Sequence, residues 1–305
     1  MGSIKFQSWR LVERTLGGSG GPVAPATTDM AASLGTVNPD MPEGDTIFRT
    51  AATLERWLAG REVTAATTNV SNLPAHKLVG QKIEKVEAMA KHLLIRFDSG
   101  STLHTHMKMT GAWHVYSKGE RWQRPRDQAR FVLEAGDHVA VCFNAPVVEL
   151  LAPKGERQHP SLTNLGPDVL KPPVDLDEVR KRAATRPGET TIAELLLDQG
   201  VVSGIGNIWR CESLFVTKTD PWRPRVDLTG DELDRVVAAA AELMTRSVAD
   251  RRDRPWVYGR ARRPCYRCRT PIKVQRMGSS DLPRQLYWCP KCQGPTVTTA
   301  AQGGT

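Results

Sequence analysis

The sequence predicts an α+β chain. It has an N-terminal antiparallel β-sandwich with a helix, a helical domain after it, and a C-terminal hairpin closed by cysteines. Three observations carry this. Short alternating runs separated by turn residues fill 82–144, the pattern of half-buried antiparallel strands. Helical periodicity takes over after residue 176. Two Cys-x2-Cys pairs, Cys265/Cys268 and Cys289/Cys292, stand twenty residues apart near the end.

Residues 1–40 read as a flexible leader. Gly17-Gly18-Ser19-Gly20-Gly21-Pro22 is linker composition, and 25–40 is rich in Ala, Thr and Pro. A helix is expected over 43–59, because Ile47, Phe48, Ala51, Leu54 and Leu58 recur at helical spacing and Gly60 stops it. Strands follow over 82–88, 92–97, 102–107, 112–116, 129–134 and 138–144, with turns such as Asp98-Ser99-Gly100 between them. The proline-rich stretch 152–190 is a connection with a short helix over 176–184. Helices are then expected over 192–198, 208–215 and 231–249. The predicted organisation is a 1–40 leader, a 41–152 sandwich domain, a 153–258 linker and helical domain, a 259–293 cysteine module and a 294–305 tail.

The chain has 305 residues, and its formal net charge is +9. That charge is local: 251–292 holds 12 Lys/Arg against 2 Asp/Glu, so the remainder is close to neutral. A basic block of this kind points to a polyanionic partner. No apolar run is long enough to span a bilayer, and the first residues lack the apolar core of a secretory signal, so a cytoplasmic protein without a membrane partner is expected. Six cysteines do not make a disulfide scaffold. Cys142 and Cys211 lie in apolar contexts and read as buried thiols.

The four paired cysteines have the spacing of a tetrahedral zinc site. Four protein ligands leave no open position, so one structural zinc ion is expected. Between the pairs, 274–277 and 285–288 can form a hairpin through 278–283, displaying Arg276 and Arg284. A two-stranded ribbon of that size enters a DNA groove. Together these features make the end of the chain a zinc-finger β-hairpin.

Two further stretches carry chemistry. Gln199-Gly200-Val201-Val202-Ser203-Gly204-Ile205-Gly206-Asn207 links two helices, and its glycines let the backbone turn tightly and approach a partner. Asn207 would open the next helix, where free N–H groups bind phosphate; the alternative is a simple helix cap. Met41-Pro42-Glu43-Gly44-Asp45 opens the first helix. A proline there is ordinarily a helix-start device. Were Met41 removed from a chain starting there, Pro42 would be a secondary amine beside a carboxylate. Terminal amines titrate near ~7.7–8.0 and can attack an electrophilic carbon.

These pieces, in this order, resemble the formamidopyrimidine-DNA glycosylase/endonuclease VIII family. The marks are Met41-Pro42-Glu43-Gly44, Ala90-Lys91-His92-Leu93-Leu94, His106-Met107-Lys108-Met109-Thr110-Gly111, the 197–207 segment, and Leu286-Tyr287-Trp288-Cys289-Pro290 with Cys292 and Gln293. The resemblance runs from Met41 to about Gln293. It implies a β-sandwich, a helix–two-turn–helix domain and a zinc finger. It also implies a bifunctional DNA glycosylase/abasic-site lyase of base excision repair, needing no small-molecule cofactor and working on damaged DNA as a monomer. In a bacterium the enzyme would lie at the nucleoid.

In that likeness Pro42 is the amine that attacks C1′ and Glu43 the acid that assists base departure. Lys91 is the basic residue of β-elimination. Arg284 holds a phosphate for δ-elimination. The resemblance also makes Asn207 a phosphate-binding residue and places Asn164 at a DNA contact. Arg276 on the hairpin is read as DNA-facing, and Met109, with Lys108 next to it, is a candidate wedge for the gap left by an extruded base. Asn144-Ala145-Pro146 stands where the purine-directed branch has an Arg-Arg-Phe-Gly run, and His159-Pro160 through Leu170 resembles the endonuclease VIII linker. Oxidised pyrimidines are therefore the expected lesions. Thr46, Thr110 and Asn164 depart from the family's glutamate, bulky wedge residue and arginine. A non-catalytic zinc-ribbon protein that binds damaged DNA is the alternative: inside a longer chain the Pro42 nitrogen is a tertiary amide with no nucleophilic lone pair.

Overall fold

A computed structural model describes residues 42–250, 254–277 and 284–294. The readings for the leader, Met41, the 278–283 turn and the tail beyond Gly294 lie outside these residues. Helix α1 (Gly44–Leu58) buries Ile47, Ala51, Leu54 and Leu58, one stripe at helical spacing. It stops at Gly60, whose φ of +78° is a left-handed value that favours glycine.

Two four-stranded antiparallel sheets follow. The first has the order β1-β6-β7-β5, built from β1 (Val63–Thr68), β6 (Ala129–Ala135), β7 (His138–Phe143) and β5 (Ala112–Ser117). The second has the order β2-β3-β4-β8, built from β2 (Ile83–Met89), β3 (His92–Phe97), β4 (Thr102–His106) and β8 (Val147–Leu151). Alternate residues Leu93, Ile95, Phe97 and Leu103 join Ile83, Trp113, Phe131 and Leu133 in the core between the sheets and α1. Each such side chain contributes about 1.5–3 kcal/mol.

The opposite face of the second sheet is polar yet covered. The register pairs His92 with His106, Leu94 with His104, and His104 with Glu149. On the same face Arg96 meets Glu156 with two hydrogen bonds of 2.7 Å, and Thr102 donates to Glu156 at 2.6 Å. A buried polar face costs stability unless it is paired.

The second core gathers α3 (Leu176–Ala184), α4 (Ile192–Leu195), α5 (Asn207–Val216) and α6 (Gly230–Ala249) around Val201, Val202 and Ile205. Thr191 with Glu194 and Thr229 with Glu232 form capping boxes at the starts of α4 and α6. The cysteine segment belongs to the same core through Ile272, Met277, Leu286, Cys265 and Cys289. It is anchored by Glu212 on α5, whose buried carboxylate accepts the backbone N–H groups of Trp256 (2.7 Å), Val257 (3.0 Å) and Tyr258 (2.9 Å). Strands β9 (Lys273–Met277) and β10 (Arg284–Trp288) pair antiparallel, the expected hairpin. Cys142 and Cys211 are buried, as read from their contexts.

Several elements differ from expectation. β1, β8 and the short helix α2 (Pro160–Thr163) were not expected. β1 reads Val-Thr-Ala-Ala-Thr-Thr and offers little apolar contrast. β8 reads Val-Val-Glu-Leu-Leu, whose adjacent apolar pairs do not alternate, and only Val148 of it is buried. The helix expected over 192–198 ends at Leu195, and Asp198 turns the chain by accepting the Gly200 N–H at 2.8 Å. Among the described residues no helix is long and apolar enough to cross a membrane.

Candidate active site and nucleic-acid interface

Pro42 is partly buried, and Glu43 after it is 3% exposed. Glu43 caps α1 in extended conformation, but its side chain does not serve that helix. The carboxylate reaches the start of α5 and accepts the N–H groups of Ile208 (2.7 Å) and Trp209 (3.3 Å). The glycine turn makes this possible. A Cβ on Gly206 would lie 2.2 Å from Glu43 Cδ, and one on Gly44 would lie 2.8 Å from the Gly204 carbonyl oxygen. The Gly44 N–H donates to that same oxygen at 3.0 Å. The free N–H groups expected to meet a phosphate thus hold a carboxylate from the first helix.

Lys91 joins from the opposite side. It sits in the tight β2–β3 turn, where Ala90 has φ +53° and donates its N–H to Asp168 Oδ2 at 2.8 Å. The Lys91 ammonium donates to the carbonyl of Ile205, in the same glycine turn. Gln199 braces that turn: its amide donates to Ile205 O at 3.0 Å and accepts from Gly204 N at 3.1 Å.

Burial governs the electrostatics. It pushes the Glu43 carboxyl well above the usual carboxylate range, and the Lys91 charge and the α5 N–H groups offset only part of that. Burial also holds Lys91 below the usual lysine range, against the pull of Glu43, and the Arg284 charge adds to the depression. A protonatable acid and a partly neutral amine thus stand together at neutral pH.

Arg284, the first residue of β10, is partly exposed and close enough for its charge to act on Lys91. Asn207 is the first residue of α5 and 5% exposed. Its Nδ2 donates to Gln285 O at 2.9 Å and its Oδ1 accepts from Arg210, so the side chain bridges α5 to the hairpin. Gly206, not Asn207, caps α5.

The remaining positions lie outside this cluster. Arg276 is exposed on β9. Lys108 and Met109 occupy the turn after β4; Lys108 is exposed with φ +45°, and Met109 is 48% exposed. Gly111 closes that turn, since a Cβ there would meet Met107 Cα at 2.8 Å and Ala145 Cα at 2.9 Å. Asn164 is exposed just after α2 and lines a cleft of about 440 Å³ with Lys108 and Gln199. Sequence reasoning missed what else lines it: His92, His104, His106, His159 and Glu149. The available signal was His104 and His106 at strand spacing, on one face.

The four cysteine thiols converge, each with a ligand atom within 4.8 Å of the others. Cys265 Sγ and Cys292 Sγ are 3.9 Å apart, and Cys268 Sγ and Cys289 Sγ 3.4 Å. These are too long for disulfides and close to the ~3.8 Å edges of a tetrahedron with ~2.3 Å metal–sulfur bonds. The four residues can hold a metal ion.

The formamidopyrimidine-DNA glycosylase N-terminal domain model matches residues 41–146, and the formamidopyrimidine-DNA glycosylase H2TH domain model matches 165–254. The probable endonuclease 8 2 of Streptomyces coelicolor is 35% identical over 87% of this chain and 98% of its own length. The DNA-(apurinic or apyrimidinic site) lyase Nei2 of Mycolicibacterium smegmatis is 36% identical over 83% and 99%. The endonuclease 8 of an Escherichia coli strain is 33% identical over 83% and 100%. In three dimensions the chain is similar to Lactococcus lactis Fpg, solved with abasic-site DNA, at a TM-score of 0.73 and 17% identity, over 83% of this chain and 100% of that one.

Proposed function

This chain belongs to the formamidopyrimidine-DNA glycosylase/endonuclease VIII family, and from that we propose a bifunctional DNA glycosylase/abasic-site lyase for oxidised, mainly pyrimidine, bases. The observation that carries the reading is the junction of Glu43, Lys91 and the Gly204–Gly206 turn, with Pro42 next to Glu43 in the chain.

The lesion nucleotide leaves the stack. The Pro42 nitrogen attacks C1′ as the base departs with a proton from Glu43. The Glu43 carboxylate then takes the proton of the attacking nitrogen and passes it to O4′, so that the C1′–O4′ bond breaks and the opened sugar becomes an iminium on Pro42. Glu43 suits this role because burial keeps its carboxyl protonated to higher pH than an exposed glutamate. Lys91, its amine partly neutral, takes a sugar proton as the 3′-phosphate leaves. Arg284 holds a phosphate for the second elimination. Met109 fills the gap in the stack, while Lys108, Asn164 and Arg276 meet the backbone. Asn207 meets a DNA phosphate from the start of α5, with its amide also tied to the hairpin through Gln285. Zinc bound by Cys265, Cys268, Cys289 and Cys292 is structural, holding β9 and β10. The working unit is a cytoplasmic monomer without a diffusible cofactor, and the sandwich, helical and zinc-finger segments act as its three domains.

The chemistry requires a chain whose first residue is Pro42, and the N-terminal domain match begins at Met41. With residues before it attached, Pro42 has an amide nitrogen, which favours the second reading, a non-catalytic binder of damaged DNA. Borohydride trapping on abasic-site DNA separates the two. The 305-residue protein is compared with one starting at Met41. An adduct mapped to Pro42, formed only with the Met41 start, supports the proposal. An adduct on Lys91 in both moves the amine to that lysine. Tight, salt-dependent binding without an adduct in either establishes the binder.

A further inference from the structure

We propose that His104, Glu149 and His159 form a second metal site, for a divalent transition ion of the zinc, cobalt or nickel class, opening into the cleft beside Lys108 and Asn164. The inference does not depend on the proposed function. The three residues come from different elements and converge by register. His104 lies directly opposite Glu149 across the β4–β8 pair, and His159 precedes α2, its ring 4.9 Å from that of His104. Glu149 Oε2 is 3.3 Å from His104 Nδ1 and 2.9 Å from His159 Nε2, and all three donor atoms lie within 4.8 Å of one another. A tetrahedral ion with ligand bonds near ~2.0–2.1 Å needs donors about 3.3 Å apart. Closing that gap takes only side-chain adjustment.

The donor set selects the ion. Two imidazoles and one carboxylate favour borderline transition metals over magnesium or calcium, which prefer all-oxygen shells. Three protein ligands leave a fourth position for water or an anionic oxygen. The Glu149 side chain is 44% exposed, and the cleft gives the ion a path in. The surroundings orient the ligands. His104 is 1% exposed, and its other ring nitrogen, Nε2, lies 2.8 Å from His92 Nδ1. Such an outer partner fixes the ring plane and tautomer of a ligating histidine. The cysteine site cannot supply this ion, since its four thiols form a separate cluster.

Metal counting tests the assignment on the full chain with its cysteine site loaded. The protein is equilibrated with zinc, freed of unbound ion, and analysed by mass spectrometry. A second equivalent is expected, lost in Glu149→Gln and His159→Asn. Because Glu149 is half-exposed and the glutamine is isosteric, Glu149→Gln should keep the wild-type melting point without added zinc. Added zinc should raise the melting point of wild type and leave both variants unmoved. Cobalt in the second site should absorb without the thiolate charge-transfer band of a cysteine site. One equivalent in wild type overturns the proposal. So does a second equivalent that survives both substitutions or carries the thiolate band.

Discussion

Glu43 and Gly206 stand so close that a methyl group on Gly206 would lie 2.2 Å from the Glu43 carboxyl carbon. The glycine is there for proximity, not for an unusual dihedral, since its φ is −115°. Alanine must therefore push Glu43 away from the Ile208 and Trp209 N–H groups. Gly206→Ala is expected to cost about 1–3 kcal/mol of stability, the usual range for overpacking. Its catalytic cost is larger: a displacement of about 1 Å in a positioned group can lower a rate on the order of 100-fold. Single-turnover base excision, read beside a thermal melt, checks both. A folded variant with wild-type rate would detach Glu43's seat from the chemistry.

The raised carboxyl of Glu43 sets a pH dependence. Its folded value lies above its unfolded one, so the folded state holds the proton more tightly. The associated stability is present below the ordinary carboxylate range, near ~4.3, and declines as pH rises through the raised value. Lys91 runs the other way: its depressed value costs stability at low pH, and the cost is relieved as pH rises toward the ordinary lysine range. Base excision should fall on the alkaline side as Glu43 ionises. Glu43→Gln should remove the glutamate's part of the stability profile. It should also slow release of an oxidised base by about 100-fold or more, the usual scale for an acid–base group. Strand cleavage at a preformed abasic site, which needs no base departure, should suffer less. Equal loss on both substrates would argue against the assigned role.

The cysteine segment shares its core with the helices, so metal loss should reach beyond the hairpin. Cys265, Cys289, Met277 and Leu286 pack with Phe215 and Val257 in one cluster. Asn207 and Arg210 on α5 also hold the Gln285 carbonyl, at 2.9 and 3.3 Å. Chelation or Cys289→Ser should lower the melting point and open β9–β10 to hydrogen exchange. Protection of α5 should fall with it, and Arg284 should lose its station near Lys91, so activity should vanish with the metal. Retained protection across α5 would show the two parts to be independent.

The sequence displayed the sandwich, the helices and the hairpin because their apolar residues recur at distinct periods. It concealed β1, whose alanines and threonines lack contrast, and β8, whose adjacent apolar pairs Val147-Val148 and Leu150-Leu151 do not alternate. At the site, Glu43 and Lys91 were legible as residue types in recognisable strings. The destination of the Glu43 side chain was not, because accepting the Ile208 N–H from 165 residues away is a tertiary choice. Asn207 was read as a phosphate contact from its place beside a helix start; its bridge to the Gln285 carbonyl was not legible, because it depends on the hairpin docking on α5. The histidine cluster was missed because, beyond the His104 and His106 pair, only strand register brings His92 and Glu149 to the same face.

Met109 offers the cleanest separation of binding from folding. It is a large apolar side chain, 48% exposed, on a turn that Gly111 and the Thr110–Asn144 contact (3.0 Å) hold in place. Water is a poor environment for it, and a gap in a base stack is a better one. Met109→Ala removes the side chain without disturbing the turn, so stability should stay within about 0.5 kcal/mol, as for other surface changes. Extruding a base costs a few kcal/mol, and losing about 1.4 kcal/mol of the compensating contact slows the flipped-state reaction about tenfold. The deficit should shrink on a substrate whose target nucleotide is already unpaired or single-stranded, because less stacking must be replaced. Comparing single-turnover rates on duplex and single-stranded lesion DNA reads this directly. An equal deficit on both would mean that Met109 contacts the DNA without acting as a wedge.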